Sequence, residues 1–131
     1  MTNVHLMAHH SRLDKIVIDF DPAHHDAAVE FWGGVIGQPF QQVTRYPEYH
    51  WAKLAHNQIG MLTQRLGEGG SRVHLDIHTD DAEAEMLRLE ALGAKRVEQV
   101  EGWWIMRDPA GLPFCVIPDP SVNETNGHRW E

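Results

Sequence analysis

The chain contains the same succession of segments twice. Ile16–Asp19 (IVID) aligns with Val73–Asp76 (VHLD) at an offset of 57 residues, and Ile36-Gly37 aligns with Leu92-Gly93 at an offset of 56 residues. The segments on either side of these anchor points follow in the same order in both copies. Such internal similarity indicates a repeated supersecondary unit, and it limits the fold more than any single motif does.

The first copy reads as a strand, a helix and three shorter strands. Leu13–Phe20 is rich in β-branched residues, which is typical of a strand. Asp21-Pro22 then combines an N-cap with a proline at the first helical position, and Gly37 is suited to end the helix. Three extended runs separated by turn residues follow, at about Phe40–Arg45, Tyr49–Ala55 and Ile59–Gln64.

The second copy repeats this order. The strand Arg72–Thr79 leads into the capping box Asp80–Glu83, and the helix that follows ends at Gly93. Three further extended runs are Lys95–Val100, Trp103–Arg107 and Phe114–Ile117. We therefore expect one domain over residues 12–118, with module one at 13–66, module two at 71–118, and tails at 1–11 and 119–131.

Charge and cysteine content narrow the classes of partner. The 131 residues carry a formal net charge of −8 with histidine neutral, which argues against nucleic acid or an anionic membrane as a partner. The single cysteine, Cys115, excludes an intrachain disulfide and suits a reducing cytoplasm. No apolar run reaches the roughly 18 residues of a membrane helix, and Met1–His10 lacks the features of a signal peptide. We expect a cytoplasmic protein whose partner is a small molecule.

The strand Arg72–Thr79 has one polar face. Because side chains alternate along a strand, His74, Asp76 and His78 project to the same side. Two imidazoles and a carboxylate are typical of a metal site, but they equally fit the solvated face of a half-buried strand. His78 lies roughly 13 Å from His74 along the strand, which is too far for two ligands of one ion. Asp76, at roughly 7 Å, is the nearer candidate.

The arrangement as a whole resembles the vicinal oxygen chelate superfamily, which includes glyoxalase I, bleomycin-resistance proteins and extradiol dioxygenases. Its small bacterial glyoxalase-like domains are the most similar. The segments that carry the resemblance are Phe31-Trp32, Ile36-Gly37, His74–Asp76, Asp80-Asp81, Leu92–Ala94, Trp104–Gly111 and Phe114–Val116. The resemblance implies an α+β fold in which two tandem β-α-β-β-β modules form a curled, barrel-like mixed sheet around a cavity, with the helices outside. It also implies a homodimer.

The resemblance further implies up to four metal ligands, one on the first and one on the last strand of each module. His74 occupies such a position, but its equivalent in module one is Val17, which cannot bind a metal. Where relatives read Gly-Asn-Glu-Phe-Cys, this chain reads Gly111–Cys115 as GLPFC, so that Pro113 replaces the glutamate. The matching position in module one falls at about Met61. His74 is then the one remaining family metal ligand, and no cofactor is expected; a divalent metal held by a rearranged ligand set is the alternative.

Alternation along the first and last strands of both modules predicts one wall of the cavity. The residues of this predicted wall are Val17, Asp19, Met61, Thr63, His74, Asp76, Pro113 and Cys115. An apolar wall with one imidazole and a few oxygens is the usual composition of a small-molecule pocket. His74 would orient a ligand there, or it is a core histidine hydrogen-bonded to Asp19 or to a backbone carbonyl. Of Trp103-Trp104, one ring is expected to face the cavity and the other to face away from it.

Three functions remain open at this point. The first is a binding protein with a metal-free cavity, like the drug-sequestering relatives. The second is a lyase, an isomerase or a dioxygenase with a rearranged metal site, and the third is a structural or regulatory protein. Cys115 is expected to be a buried, inert thiol. Histidines in the tails and in the first turn of the first helix are expected to be exposed: His5, His9, His10, His24, His25 and His128.

Overall fold

The computed structural model describes residues 8–54 and 59–131. In chain order the strands and helices are β1 (His9–Phe20), α1 (His25–Ile36), β2 (Gln41–Gln42), β3 (Tyr49–Lys53), β4 (Gly60–Arg65), β5 (Arg72–Thr79), α2 (Ala82–Ala91), β6 (Lys95–Val100), β7 (Trp103–Arg107), β8 (Pro113–Pro118) and β9 (His128–Trp130). Strands β5, β6 and β7 have the bounds that the sequence predicts. The predicted strand end at Ala55 and the histidine His5 lie outside the described residues. Neither α1 nor α2 is long and apolar enough to cross a membrane.

The nine strands of the described chain belong to one mixed sheet. Its order is β2-β3-β4-β1-β5-β8-β7-β6, and β9 pairs with β1. β1 is parallel to β4 and β5 is parallel to β8, whereas β3–β4 and β7–β8 are antiparallel pairs. The succession β2-β3-β4-β1 is thus repeated as β6-β7-β8-β5, with a helix after the first strand of each module. The predicted α+β class with two β-α-β-β-β modules is confirmed.

The chain divides into two compact units whose boundaries fall inside strands. One unit is Asp14–His74, and the other is Leu75–Glu131 together with the residues before Asp14. The boundaries lie within β1 and β5, so each of these two strands contributes residues to both units.

Helix α1 begins slightly later than its predicted cap. The carboxylate of Asp21 accepts hydrogen bonds from the backbone N–H and from Nδ1 of His24, at 3.2 and 2.7 Å, and the regular helix starts at the next residue. It ends at Gly37, whose φ of 76° is a left-handed conformation that glycine adopts without strain. Phe31 and Val35 have helical spacing but are 62% and 57% exposed, so they do not form the buried side of α1.

Helix α2 covers one face of the sheet in the unit Leu75–Glu131. The carboxylate of Asp81 caps the helix by accepting a hydrogen bond from the backbone N–H three residues later, at 3.0 Å. Met86 and Leu89 then pack against Met106 of β7 and Val116 of β8. This cluster forms a hydrophobic core between α2 and the sheet.

The ends of the described chain carry structure that the sequence did not predict. The start of β1 pairs antiparallel with β9. His9 is 1% exposed, and its Nε2 lies 2.8 Å from Oε1 of Glu85, whose side chain is also fully buried. Arg88 donates to both oxygens of this carboxylate at 2.8 Å, and its guanidinium lies 3.7 Å from the ring centroid of Trp130. Within the described residues, 9–11 and 128–130 are therefore paired strand residues rather than tails, and the expectation of an exposed His9 is wrong, because its partner is distant in the chain and leaves no local pattern.

Asp119, which follows β8, anchors the beginning of the C-terminal segment. Its carboxylate accepts hydrogen bonds from Nδ1 of His78 at 2.8 Å, and from the backbone N–H and the hydroxyl of Ser121 at 2.9 and 2.6 Å. Partial burial raises the pKa of this carboxyl, but the hydrogen bonds outweigh burial and lower the pKa of Asp119 to about 2.

We expect Asp119 to contribute to the acid limit of stability. Because its folded-state pKa lies below the ordinary value of 3.8, its contribution is complete above that value and is lost as the pH falls towards 2. Urea unfolding of wild type and Asp119→Asn at pH 7 and pH 3 measures this contribution. The wild type should lose more stability between these two pH values than the variant does. Equal losses in both proteins would show that other carboxyls set the acid limit.

Candidate ligand-binding site

The register of β5, β7 and β8 sorts their side chains onto two faces of the sheet. Asp76 pairs with Cys115 and Ile77 pairs with Val116, and paired residues project to the same side. Ile77 and Val116 belong to the core beneath α2, so Asp76 and Cys115 project from the opposite face. Ile105 pairs with Cys115 across β7 and β8 and lies on that opposite face as well.

The face opposite α2 carries several apolar side chains beside polar ones. Its half-buried apolar side chains are Trp103, Ile105, Cys115 and Ile117, and half-buried His78, which pairs with Ile117, projects to the same side. Asp76 lies among them and is 6% exposed. Trp104 packs into the core beneath α2 instead, so the prediction that the two adjacent tryptophans face opposite sides is confirmed. When a helix covers one face of a sheet, the other face commonly carries polar side chains. Apolar side chains on that other face indicate a binding surface for a ligand or a partner.

In the unit Asp14–His74, Asp19 and His74 form a hydrogen-bonded pair. Nδ1 of His74 lies 3.0 Å from Oδ2 of Asp19, and Nε of Arg72 lies 3.7 Å from the same oxygen. The side chain of Asp19 is 4% exposed, and within the described residues its Oδ1 has no hydrogen-bond partner. A neutral imidazole in this pair carries its proton on Nδ1 and has an acceptor at Nε2. The hydrogen bond to Asp19, one of the two structural alternatives for His74, is confirmed.

The register of β1 and β4 corrects one part of the predicted wall. Val17 pairs with Leu62, and Asp19 pairs with Gln64. Met61 and Thr63 therefore project to the opposite face from Val17 and Asp19, and the prediction that all four share a wall is wrong. A shift of one residue is enough to move every side chain of a strand to the other face. Leu62 and Gln64 are the β4 residues that the sequence reasoning missed.

The corrected register also bears on the metal ligands that the superfamily implies. The module-one position on the last strand is Leu62 rather than Met61, and Leu62 offers no ligand atom either. With Val17 and Pro113 at two other positions, only His74 retains a metal-binding side chain. The residues present do not fit the superfamily's metal site.

A different group of side chains has the chemistry to bind a metal. Within the described part of the chain, one ligand atom each of His74, Asp76 and Cys115 lies within 4.8 Å of the other two. Asp76 and Cys115 are register partners, and His74 precedes Asp76 by two residues on β5. Imidazole, carboxylate and thiolate are all ligands of Zn²⁺. Cys115 is a free cysteine and half-buried, so the expectation of a fully buried thiol is wrong.

Two β-α-β-β-β modules joined in one mixed sheet place the protein in the vicinal oxygen chelate class. The glyoxalase-like domain family matches residues 15–117, and the chain belongs to this family. The resemblance seen in the sequence is thereby confirmed. No curated protein sequence gives a significant match.

Several solved structures share the fold. Methylmalonyl-CoA epimerase from Mycobacterium tuberculosis is 16% identical with a TM-score of 0.55, over 82% of this chain and 88% of that chain. A hypothetical protein from Bacillus halodurans C-125 is 13% identical with a TM-score of 0.58, over 86% of this chain and 99% of that chain. A mutant of 4-hydroxymandelate synthase from Streptomyces coelicolor is 13% identical with a TM-score of 0.53, over 82% of this chain and 48% of that chain. At these identities the likeness shows the fold alone.

Proposed function

We propose that this glyoxalase-like protein binds a small molecule on the sheet face opposite α2. The observation that carries the proposal is the row of half-buried Trp103, Ile105 and Cys115 on a face that α2 does not cover. Apolar walls with a few polar groups are typical of small-molecule sites. The indole of Trp103 is a suitable platform for a planar ligand.

His74 supplies the polar group that would orient such a ligand. Its Nδ1 lies 3.0 Å from Oδ2 of Asp19, so the orientation of the ring is fixed. The imidazole would form one hydrogen bond with a hydroxyl or N–H group of the ligand. The net charge of −8 disfavours anions, so the proposed ligand is an uncharged or cationic aromatic molecule with one hydrogen-bond donor.

A second candidate function is a metal-dependent reaction, and the group His74, Asp76 and Cys115 is the observation that favours it. Methylmalonyl-CoA epimerase and 4-hydroxymandelate synthase, which share the fold, are enzymes by name. Elemental analysis of protein purified without an affinity tag or chelator separates this candidate from metal-free binding. Homodimerisation and a cytoplasmic location stay predictions.

The proposed function is tested with 2-naphthol, an uncharged aromatic molecule with one hydroxyl group, in the presence of a chelator. Ile105→Glu places a charge on the apolar face, and we expect affinity for 2-naphthol to fall by at least about tenfold, since desolvating a carboxylate is costly. Leu87→Glu is the matched control, because Leu87 lies on α2 and is 39% exposed. Titration followed by intrinsic tryptophan fluorescence measures both. Equal affinities for the two variants, or no binding by the wild type, would contradict the proposal.

A further inference from the structure

A separate pocket lies within the unit Asp14–His74, on the face of the sheet opposite Val17 and Asp19. It has a volume of about 640 Å³, and its lining includes residues of α1, of the segment that follows α1, and His50 of β3. His50 pairs with Thr63, and Thr63 pairs with Ile18 of β1, so His50 projects away from the face of Val17 and Asp19. The pocket is therefore distinct from the site proposed above.

His25 lines this pocket and is buried, contrary to the expectation of an exposed histidine at the start of α1. The residue is 1% exposed. Its Nδ1 lies 2.9 Å from Oδ1 of Asp26, and the same carboxylate oxygen accepts a hydrogen bond from Nη2 of Arg65 at 2.7 Å. With the proton of a neutral imidazole on Nδ1, Nε2 carries a lone pair. That Nε2 exposes less than 1 Å² and has no hydrogen-bond partner within the described residues.

The second histidine of the pocket, His50, also has a buried ring nitrogen without a hydrogen-bond partner within the described residues. This nitrogen is Nδ1. Burial and the neighbouring His25 lower the pKa of His50, with Arg65 adding to the effect and Asp26 opposing it. The two ring centroids are 5.1 Å apart, with an interplanar angle of 52°.

The two buried imidazole nitrogens without partners belong to side chains that line one pocket. A buried polar atom that lacks a hydrogen bond costs about 1–3 kcal/mol, and burial of these two atoms keeps bulk water away from them. An ion about 2.0–2.1 Å from each nitrogen would lie roughly 3.2 Å from each ring centroid. Two rings whose centroids are 5.1 Å apart are close enough to share such an ion.

We propose that Nε2 of His25 and Nδ1 of His50 bind one divalent transition-metal ion such as Zn²⁺. Imidazole is a preferred ligand of such ions, and a carboxylate on the second ring nitrogen, here Asp26, is the usual partner of a metal-bound histidine. The pocket provides room for the remaining ligands. Gly34 of α1 lines it, and a Cβ at Gly34 would meet no atom within 4 Å.

The test is an isothermal titration calorimetry experiment in which Zn²⁺ is added to the metal-free full-length protein. His25→Asn and His50→Asn each remove one proposed ligand. Each variant should lose one equivalent of bound Zn²⁺ or bind it with at least about tenfold lower affinity. The matched control is His24→Ala, because His24 is adjacent in sequence but its side chain is 79% exposed. His74→Ala removes a ligand of the other candidate group and should leave this equivalent unchanged.

Circular dichroism verifies that each variant is folded, and Co²⁺ added to the wild type gives a readout that needs no variant. Tetrahedral Co²⁺ bound to nitrogen gives strong visible absorption, which Zn²⁺ should displace. The proposal is overturned if wild type shows no such absorption, if His24→Ala loses the same equivalent, or if both His25→Asn and His50→Asn retain it. Loss in His74→Ala alone would assign the metal to His74, Asp76 and Cys115, and would also overturn it.

Discussion

Replacing Glu85 by alanine is expected to lower the free energy of unfolding by about 3–5 kcal/mol. The Glu85 carboxylate is fully buried and accepts hydrogen bonds from Arg88 and His9. Its removal leaves the Arg88 guanidinium, whose side chain is 16% exposed, without its carboxylate partner. The change also disconnects β1 from α2 at His9, which pairs with Trp130 of β9. Urea unfolding at pH 7, followed by far-ultraviolet circular dichroism, measures the loss.

Glu83→Ala is the matched control for Glu85→Ala. Glu83 is in the same helix and binds Arg96, but its side chain is 63% exposed, so we expect a loss of about 1 kcal/mol or less. Burial raises the pKa of Glu85, but the hydrogen bonds from Arg88 and His9 outweigh it and the pKa is lowered. The carboxylate therefore stabilises the fold above the ordinary pKa of 4.5, and this contribution is lost as the pH falls below that value. Similar losses for the two variants at pH 7 would contradict a structural role for the buried network.

Replacing His74 by alanine is expected to weaken binding of 2-naphthol by about 1–3 kcal/mol, the cost of losing a buried hydrogen bond. The imidazole is held by Asp19, so its position and its proton are set before a ligand arrives. The effect should depend on the hydroxyl of the ligand. 2-Methoxynaphthalene has the same rings but cannot donate a hydrogen bond, so its affinity should be nearly the same for wild type and His74→Ala.

A purely structural role for His74 gives a different pattern. The melting temperature of His74→Ala would fall, and the affinity for 2-naphthol at a temperature where the variant is folded would be unchanged. Asp19→Asn separates the two roles further, because it retains the ring of His74 but removes the charged acceptor at Oδ2. We expect an intermediate loss of affinity in Asp19→Asn, since the ring is then less firmly held.

Much of the fold was predictable because its signals are local. Strands β5, β6 and β7 have alternating side chains and turn residues at both ends, and their bounds match the prediction. The pairing of β1 with β9 joins segments at opposite ends of the chain, and no pattern within either segment announces it. For the same reason His9 was expected to be exposed, although its partner Glu85 lies in α2.

The candidate site was predictable where the repeat fixes the register. The offset of 57 residues aligns Val17 with His74 and Asp19 with Asp76, and Asp19 is hydrogen-bonded to His74. No such anchor exists for β4, and a displacement of one residue selected Met61 instead of Leu62. Burial of His25 was also beyond the sequence, because a histidine in the first turn of a helix can project to either side.

Isoleucine methyl spectra recorded while 2-naphthol is added test the central claim most directly. Ile105 and Ile117 lie on the proposed ligand-binding face, whereas Ile77 lies on the opposite face, beneath α2, and serves as an internal reference. We expect the methyl signals of Ile105 and Ile117 to shift in proportion to the bound fraction, while that of Ile77 changes little. Saturable shifts at Ile77 with none at Ile105 and Ile117 would contradict binding on the face opposite α2.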